Sequence, residues 1–199
     1  GLSALMENFA KDHPGTYGVS MIELDGKKRR AEYNGDKQFV TASTYKLLVA
    51  YSLLKRIDSG ARSWDSDQAC FDKMISLSDN ACAESFLNAI GVSTLTSEAN
   101  AIGLKNSTFM KGGGPYTTAN DQALLLGMIA TGQNFSSANQ QRLLEAMKKN
   151  VFRKGIPAGV SGTVADKVGF MNGLLHDSAI VYGSHGTYVL SIMTDGASW

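Results

Sequence analysis

The sequence predicts an α+β fold whose antiparallel sheet is assembled from both ends of the chain around a central helical block. Two observations carry this. Alternating, turn-punctuated segments near residues 17–33 and 164–194 read as strands. Between them, apolar residues recur at helical spacing, broken repeatedly by glycine or short polar stretches. There is no internal repeat and no linker-like low-complexity stretch. The 199 residues therefore fit one domain, 1–199, with its sheet-forming part in 1–40 and 150–199 and its helical part in 41–149.

In chain order, residues 2–13 predict an amphipathic helix with Leu2, Leu5, Met6 and Phe9 on one face, stopped by Pro14-Gly15. Residues 17–24 alternate as a strand, and Asp25-Gly26 turns the chain into a second strand over 30–33. A helix over 41–57 is apolar nearly all round, through Leu47, Leu48, Val49, Ala50, Tyr51, Leu53 and Leu54, so it should lie buried. Helices over 67–77, 81–90 and 94–102 follow, then a glycine-rich loop over 105–118 containing Gly112-Gly113-Gly114-Pro115. Helices over 119–130 and 137–150 come next. Strands over 164–170, 178–182 and 187–194 close the chain, separated by turns at Met171-Asn172-Gly173 and 183–186.

Composition narrows the function. With 43% hydrophobic and 19% charged residues the chain is ordinary globular material. Its formal charge of +1, from 19 Lys plus Arg against 18 Asp plus Glu, offers no electrostatic case for nucleic acid or an anionic membrane. Lys27-Lys28-Arg29-Arg30, the one basic cluster, reads as a solvated turn. No stretch has the length of a membrane span, so no membrane insertion is expected. The chain starts at Gly1 without a signal segment, which suggests processing and leaves the compartment open. Cys70 and Cys82 could bond, although two small buried thiols are the favoured reading. With only His13, His176 and His185 besides, no metal-ligand spacing exists, and the sequence implies no cofactor.

Three short patterns carry chemistry. Ser43-Thr44-Tyr45-Lys46 opens the long helix, where unpaired N–H groups favour a developing alkoxide and depress a nearby amine. Ser78-Asp79-Asn80 joins two helices, and Lys167-Val168-Gly169 lies on a strand. Each has a bland counterpart. Ser52-Leu53-Leu54-Lys55 repeats the first spacing in mid-helix, Ser137-Ala138-Asn139 reads as capping, and Lys111 lies in the glycine loop. Thr41 or Ser43 could merely cap a helix, as could Asp79 or Asn80, and Lys167 could be a solvated edge-strand lysine.

Order and placement favour the chemical reading. Thr41-Ala42-Ser43-Thr44-Tyr45-Lys46, Ile75-Ser76-Leu77-Ser78-Asp79-Asn80 and Ala165-Asp166-Lys167-Val168-Gly169 come in the order found in the penicillin-recognising serine hydrolases, and the chain resembles their class A β-lactamase-like branch. Supporting matches are Tyr116-Thr117-Thr118-Ala119 opening a helix and Gly155-Ile156-Pro157-Ala158-Gly159 before the last strands. The resemblance implies a β-lactamase/transpeptidase-like fold and an extracytoplasmic location. It implies Ser43 as the acylated nucleophile, Lys46 as its base or relay, and Ser78 as proton shuttle to the leaving nitrogen. Asn80 would bind the substrate amide, and Lys167 would set the field around Ser78 and a substrate carboxylate. The backbone N–H groups of Ser43 and Phe170 would form the oxyanion hole, Gly169 would admit a ligand backbone, and His176 would stand where some relatives carry a carboxylate-binding arginine. The expected partner is a β-lactam or a peptide-like cell-wall amide.

Several departures qualify the expectation. Residues 105–120 contain no Asp or Glu, whereas class A β-lactamases place the glutamate that activates the deacylating water in that loop. Acyl-enzyme hydrolysis should therefore be slow. Val168 replaces a hydroxyl-bearing residue, and the chain stops at Ser198-Trp199 where the family adds a helix. These departures also admit an alternative, a non-catalytic cell-wall-binding module on the same scaffold.

Overall fold

The computed structural model describes residues 1–196; Ser198 and Trp199 lie outside them. Five antiparallel strands form one sheet in the order β2-β1-β7-β6-β5: β1 (Thr16–Glu23), β2 (Arg30–Tyr33), β5 (Thr163–Met171), β6 (Leu174–Gly183) and β7 (Gly186–Asp195). The first and last strands of the chain meet directly, since β1 pairs with β7 along its whole length from Thr16↔Asp195 to Glu23↔Tyr188. The sheet thus joins the two ends of the chain, as the alternation at both ends predicts. Strands β3 (Phe39–Val40) and β4 (Tyr116–Thr117) form a separate two-stranded pair. At two residues each they carry no period, so sequence reading misses them.

The helices are α1 (Leu2–Asp12), α2 (Lys46–Asp58), α3 (Trp64–Ser76), α4 (Asn80–Ile90), α5 (Val92–Ala101), α6 (Ala119–Thr131), α7 (Ser137–Lys148) and the single turn α8 (Ile156–Gly159). None among the described residues is long and apolar enough to cross a membrane. Helix α2 is the pillar of the helical layer: every residue from Lys46 to Leu54 is buried. Each fully buried leucine contributes about 1.5–3 kcal/mol relative to exposure. This explains why α2 shows no polar face.

Differences from the sequence expectation have local causes. The predicted helix over 41–57 begins as a 3-10 turn, Ala42–Tyr45, because Ala42 adopts φ +45° and Thr44 bonds back to the Thr41 carbonyl through both its N–H (3.1 Å) and its hydroxyl (2.7 Å). Helix α3 starts three residues earlier than predicted, where the Ser63 side chain caps Ser66 N. Ser136, rather than Ser137, caps α7, and Asn139 is buried against the Leu54 carbonyl at 2.9 Å. On α1 the expected apolar stripe stays uncovered among the described residues. Leu5 is 65% and Phe9 42% exposed.

The cysteines correct the sequence reading outright. Cys70 of α3 and Cys82 of α4 are joined by a disulfide, where spacing alone favours two thiols. The bond fastens together the two helices whose connection carries Ser78. By loop-closure entropy a 12-residue link should be worth about 3 kcal/mol. Denatured, unreduced protein should therefore show no alkylatable thiol by mass spectrometry. A paired Cys70→Ser, Cys82→Ser variant should lose about 2–3 kcal/mol in urea unfolding.

Candidate active site

Three elements converge on one hydroxyl. Residues 77–79 link α3 to α4, with Leu77 ending the first helix and the Asp79 carboxylate capping the second by accepting from Cys82 N at 2.8 Å. Between them Ser78 is held at φ +56°, a left-handed conformation that costs a non-glycine residue about 1–3 kcal/mol. Asp79, not Asn80, is thus the cap. Asn80 at the first helical position is left free to turn its amide toward α2.

Two buried lysines reach that hydroxyl from opposite sides. Lys167 Nζ donates to Ser78 Oγ at 2.8 Å and to the Val168 carbonyl at 2.7 Å. Lys46 Nζ donates to the Ser78 carbonyl (2.7 Å), to Asn80 Oδ1 (2.7 Å) and, at 3.2 Å, to Ser78 Oγ. Neither lysine side chain has solvent-exposed surface. Burial lowers Lys46 to about 8, opposed by the charges of Asp79 and Glu84. Burial also lowers Lys167 to about 7, reinforced by the positive charge of Lys46 and opposed by Asp166 and Asp177. Two amines this close cannot both stay cationic cheaply, so one neutral amine is within reach near neutrality.

Ser43 sits in the 3-10 turn, immediately ahead of α2, half-buried. Lys46 has no hydrogen bond to the Ser43 hydroxyl among the described residues; its three bonds go to Ser78 and Asn80. Gly169 sets the distance between the turn and strand β5. A Cβ at 169 would lie 2.9 Å from Ser43 N and Thr41 O and 3.0 Å from Thr44 N, all backbone atoms. The glycine thus makes room for the chain's own backbone, where the sequence reading expects it to admit a ligand's. This packing brings the backbone of residues 169–170 against the Ser43 amide. The Phe170 ring is half-exposed and meets Phe152 edge-on at 5.3 Å.

His176 is corrected. It stands not at an open binding surface but as a buried member of β6 paired with Gly169. Its Nε2 lies 2.8 Å from the Val40 carbonyl, and its Nδ1 accepts from Thr194 N at 3.0 Å. Both ring nitrogens are spent on backbone, and burial lowers its pKa. The decoys fall away as well. Ser52 is buried inside α2, while Lys55 pairs with Glu98 at the surface. Lys111 bonds Gln38 and lies over the Tyr116 ring. Lys167 is on an edge strand, yet it has no solvated face because the 3-10 turn and α7 pack on β5.

Sequence reading missed an acid pair on the other face of the same strands. Asp166 Oδ1 accepts from Asn150 (2.9 Å) and Arg153 (3.2 Å), and Asp177 Oδ2 accepts from Ile156 N (2.9 Å). Asp166 Oδ2 and Asp177 Oδ1 are buried with no hydrogen-bond donor among the described residues, and burial raises both carboxyls. Burial, then the neighbouring carboxylate, pushes Asp177 well above the usual range. The only signal for this in sequence is Asp166 beside Lys167, which by itself reads as a strand charge.

No carboxylate of the glycine loop approaches the site, since residues 105–118 contain none. The nearest in sequence, Asp121, is consumed holding that loop: it accepts from Asn106 N (2.9 Å) and Ser107 Oγ (2.8 Å). Val168 is wholly buried.

A helical layer on a five-stranded antiparallel sheet, with serines and lysines at their junction, is the architecture of class A β-lactamases and their penicillin-binding relatives. The structure superimposes on a β-lactamase from Sphaerobacter thermophilus with TM-score 0.89 at 18% identity, covering 98% of this chain and 88% of that one. It matches a PBP-A variant in an acyl-enzyme complex with penicillin G at TM-score 0.91 and 23% identity, covering 98% and 87%. An ancestral Gram-negative class A β-lactamase gives 0.90 at 24%, covering 100% and 92%. No match is found among curated proteins. The model of the β-lactamase enzyme family matches residues 2–70 and 66–198, and the chain belongs to that family. Its fold is that of the class A β-lactamases.

Two outcomes test this geometry. Gly169→Ala should push the 3-10 turn off β5, costing about 1–3 kcal/mol in chemical unfolding. A carboxyl raised in the folded state stabilises fully below its unfolded pKa of about 4 and loses that contribution as pH rises through the folded value. The Asp177 contribution to thermal stability should therefore decline as pH rises above about 4, opposed by the lowered Lys46 and Lys167, whose contribution runs the other way. Asp177→Asn, which keeps an acceptor for Ile156 N and gains a donor for Asp166, should flatten that decline.

Proposed function

We propose that this protein is a serine hydrolase that forms an acyl-enzyme at Ser43 with β-lactams or peptide-like cell-wall amides and deacylates slowly. The observation that carries the reading is the Ser78 hydroxyl shared by Lys46 and Lys167, beside a serine at the head of the helix that bears Lys46. Ser43 Oγ attacks the amide carbonyl while neutral Lys46 takes its proton, directly or through Ser78. The developing oxyanion accepts from the backbone N–H groups of Ser43 and Phe170. Ser78, held between two amines, passes the proton to the leaving nitrogen. Asn80, already fixed by Lys46, orients the substrate amide with its Nδ2, and Lys167 favours a substrate carboxylate nearby. Slow deacylation follows from a loop without a carboxylate and from the commitment of Asp121 to holding that loop. An extracytoplasmic location accords with the Cys70–Cys82 bond, because disulfides persist in oxidising compartments.

Incubation with penicillin should add one acyl group per chain by intact mass, localised to the peptide containing Ser43, and Ser43→Ala should abolish it. Binding of cell-wall peptide without any adduct would instead select a non-catalytic module. Because the base must be neutral and the paired amines lie near 7 and 8, the acylation rate should rise from pH 6 to pH 8. A flat profile would remove the lysines from the proton transfer.

A further inference from the structure

Among the described residues, the carboxylates whose charge acts on Lys46 belong to Asp79 and Glu84. Asp79 is spent capping α4. Glu84 is exposed and makes no hydrogen bond or ion pair among the described residues. It follows Asn80 by four positions on α4, so it lies on the same helical face, about one turn or 6 Å along. Helical side chains lean toward the helix N-terminus, which tips Glu84 back over Asn80, and Asn80 is bonded to Lys46 at 2.7 Å. The negative charge of Glu84 also raises the Tyr45 phenol, after burial. Tyr45 stands two residues after Ser43 and meets Phe109 of the glycine loop edge-on at 6.0 Å. Glu84 therefore lies one turn along α4 from Asn80, and its charge acts on Lys46 and on Tyr45, the residue of the nucleophile turn that meets the loop lacking an acid.

We propose that Glu84 is the general base for deacylation, the carboxylate that activates water against the Ser43 acyl ester from α4 instead of from the loop. The inference rests on the acyl-enzyme reading of Ser43. A carboxylate oxygen of Glu84 takes a proton from water as the water oxygen bonds to the acyl carbon. The tetrahedral intermediate then breaks its bond to Ser43 Oγ. The proton returns through Lys46 to Ser43, releasing the carboxylic acid and restoring the Glu84 carboxylate. An exposed residue on one turn of a helix aims less tightly than a buried one, which agrees with slow turnover.

The test reads the lifetime of the adduct. Native protein, Glu84→Gln and Glu84→Asp are acylated to completion with penicillin, freed of excess reagent, and followed by intact mass. The native adduct should decay, the Gln adduct should persist at least tenfold longer, and the Asp adduct should fall between them. Hydroxylamine, which needs no base, should release native and Gln adducts at equal rates, a result that a merely structural role for Glu84 does not produce. Equal decay of native and Gln adducts, or a native adduct that never decays, overturns the assignment of Glu84. Absence of any adduct on native protein overturns the Ser43 reading itself, a separate and recognisable failure.

Discussion

The interaction on which the rest depends is the hydrogen bonding of two buried lysine amines to one serine hydroxyl. Lys46 comes from the core helix and Lys167 from the edge strand, and both lose solvent in reaching Ser78. Isolated buried charges of this kind are strongly disfavoured. Here each finds carbonyl or amide oxygens as well: Ser78 O and Asn80 Oδ1 for Lys46, Val168 O for Lys167. The remaining cost appears as lowered proton affinity, which is the property that a base working near neutral pH requires.

Holding that hydroxyl in place takes structure with no other evident purpose. Ser78 is kept in a left-handed conformation between two helix ends, and Ala42 is kept in another just before Ser43. Such strain persists only where surrounding contacts over-determine it. For Ser78 these are the Asp79 cap and the disulfide between α3 and α4. For Ala42 they are the two hydrogen bonds that Thr44 donates to the Thr41 carbonyl and the close approach of Gly169 to the turn. The strand is braced from its far side by Asp166 and Asp177, which anchor β5 and β6 to Asn150, Arg153 and Ile156. One sheet edge thus carries a buried amine on one face and a pair of buried acids on the other.

Much of this was legible in the sequence, and the reasons are specific. Helix α2 announced itself by an apolar run too long for a strand. The strands of the C-terminal sheet announced themselves by alternation and by glycine turns. What was not legible depended on partners distant in sequence. Nothing local distinguishes Cys70 and Cys82 as bonded from Cys70 and Cys82 as thiols, because the distance between their helices decides it. His176 lies outside the strand predicted over 178–182, yet the pairing of β6 with β5 and β7 buries it. Glu84 carries no pattern of its own in sequence, and only its turn of α4 above Asn80 makes it noticeable.

By itself the sequence determined the long helices and the strands of the main sheet, their order, and that two serines and one lysine stand at helix ends while a second lysine lies on a strand, because period, capping and turn chemistry are local. The tertiary structure alone decided that Lys46 and Lys167 share one hydroxyl, that Gly169 admits the nucleophile turn, and that a second pair of acids lies behind the strand. Those outcomes depend on packing between segments as far apart in the chain as Thr41 and Gly169. Local preference does not encode such distances. Only the closing of the sheet across both ends of the chain, with α2 buried against it, brings them to hydrogen-bonding range.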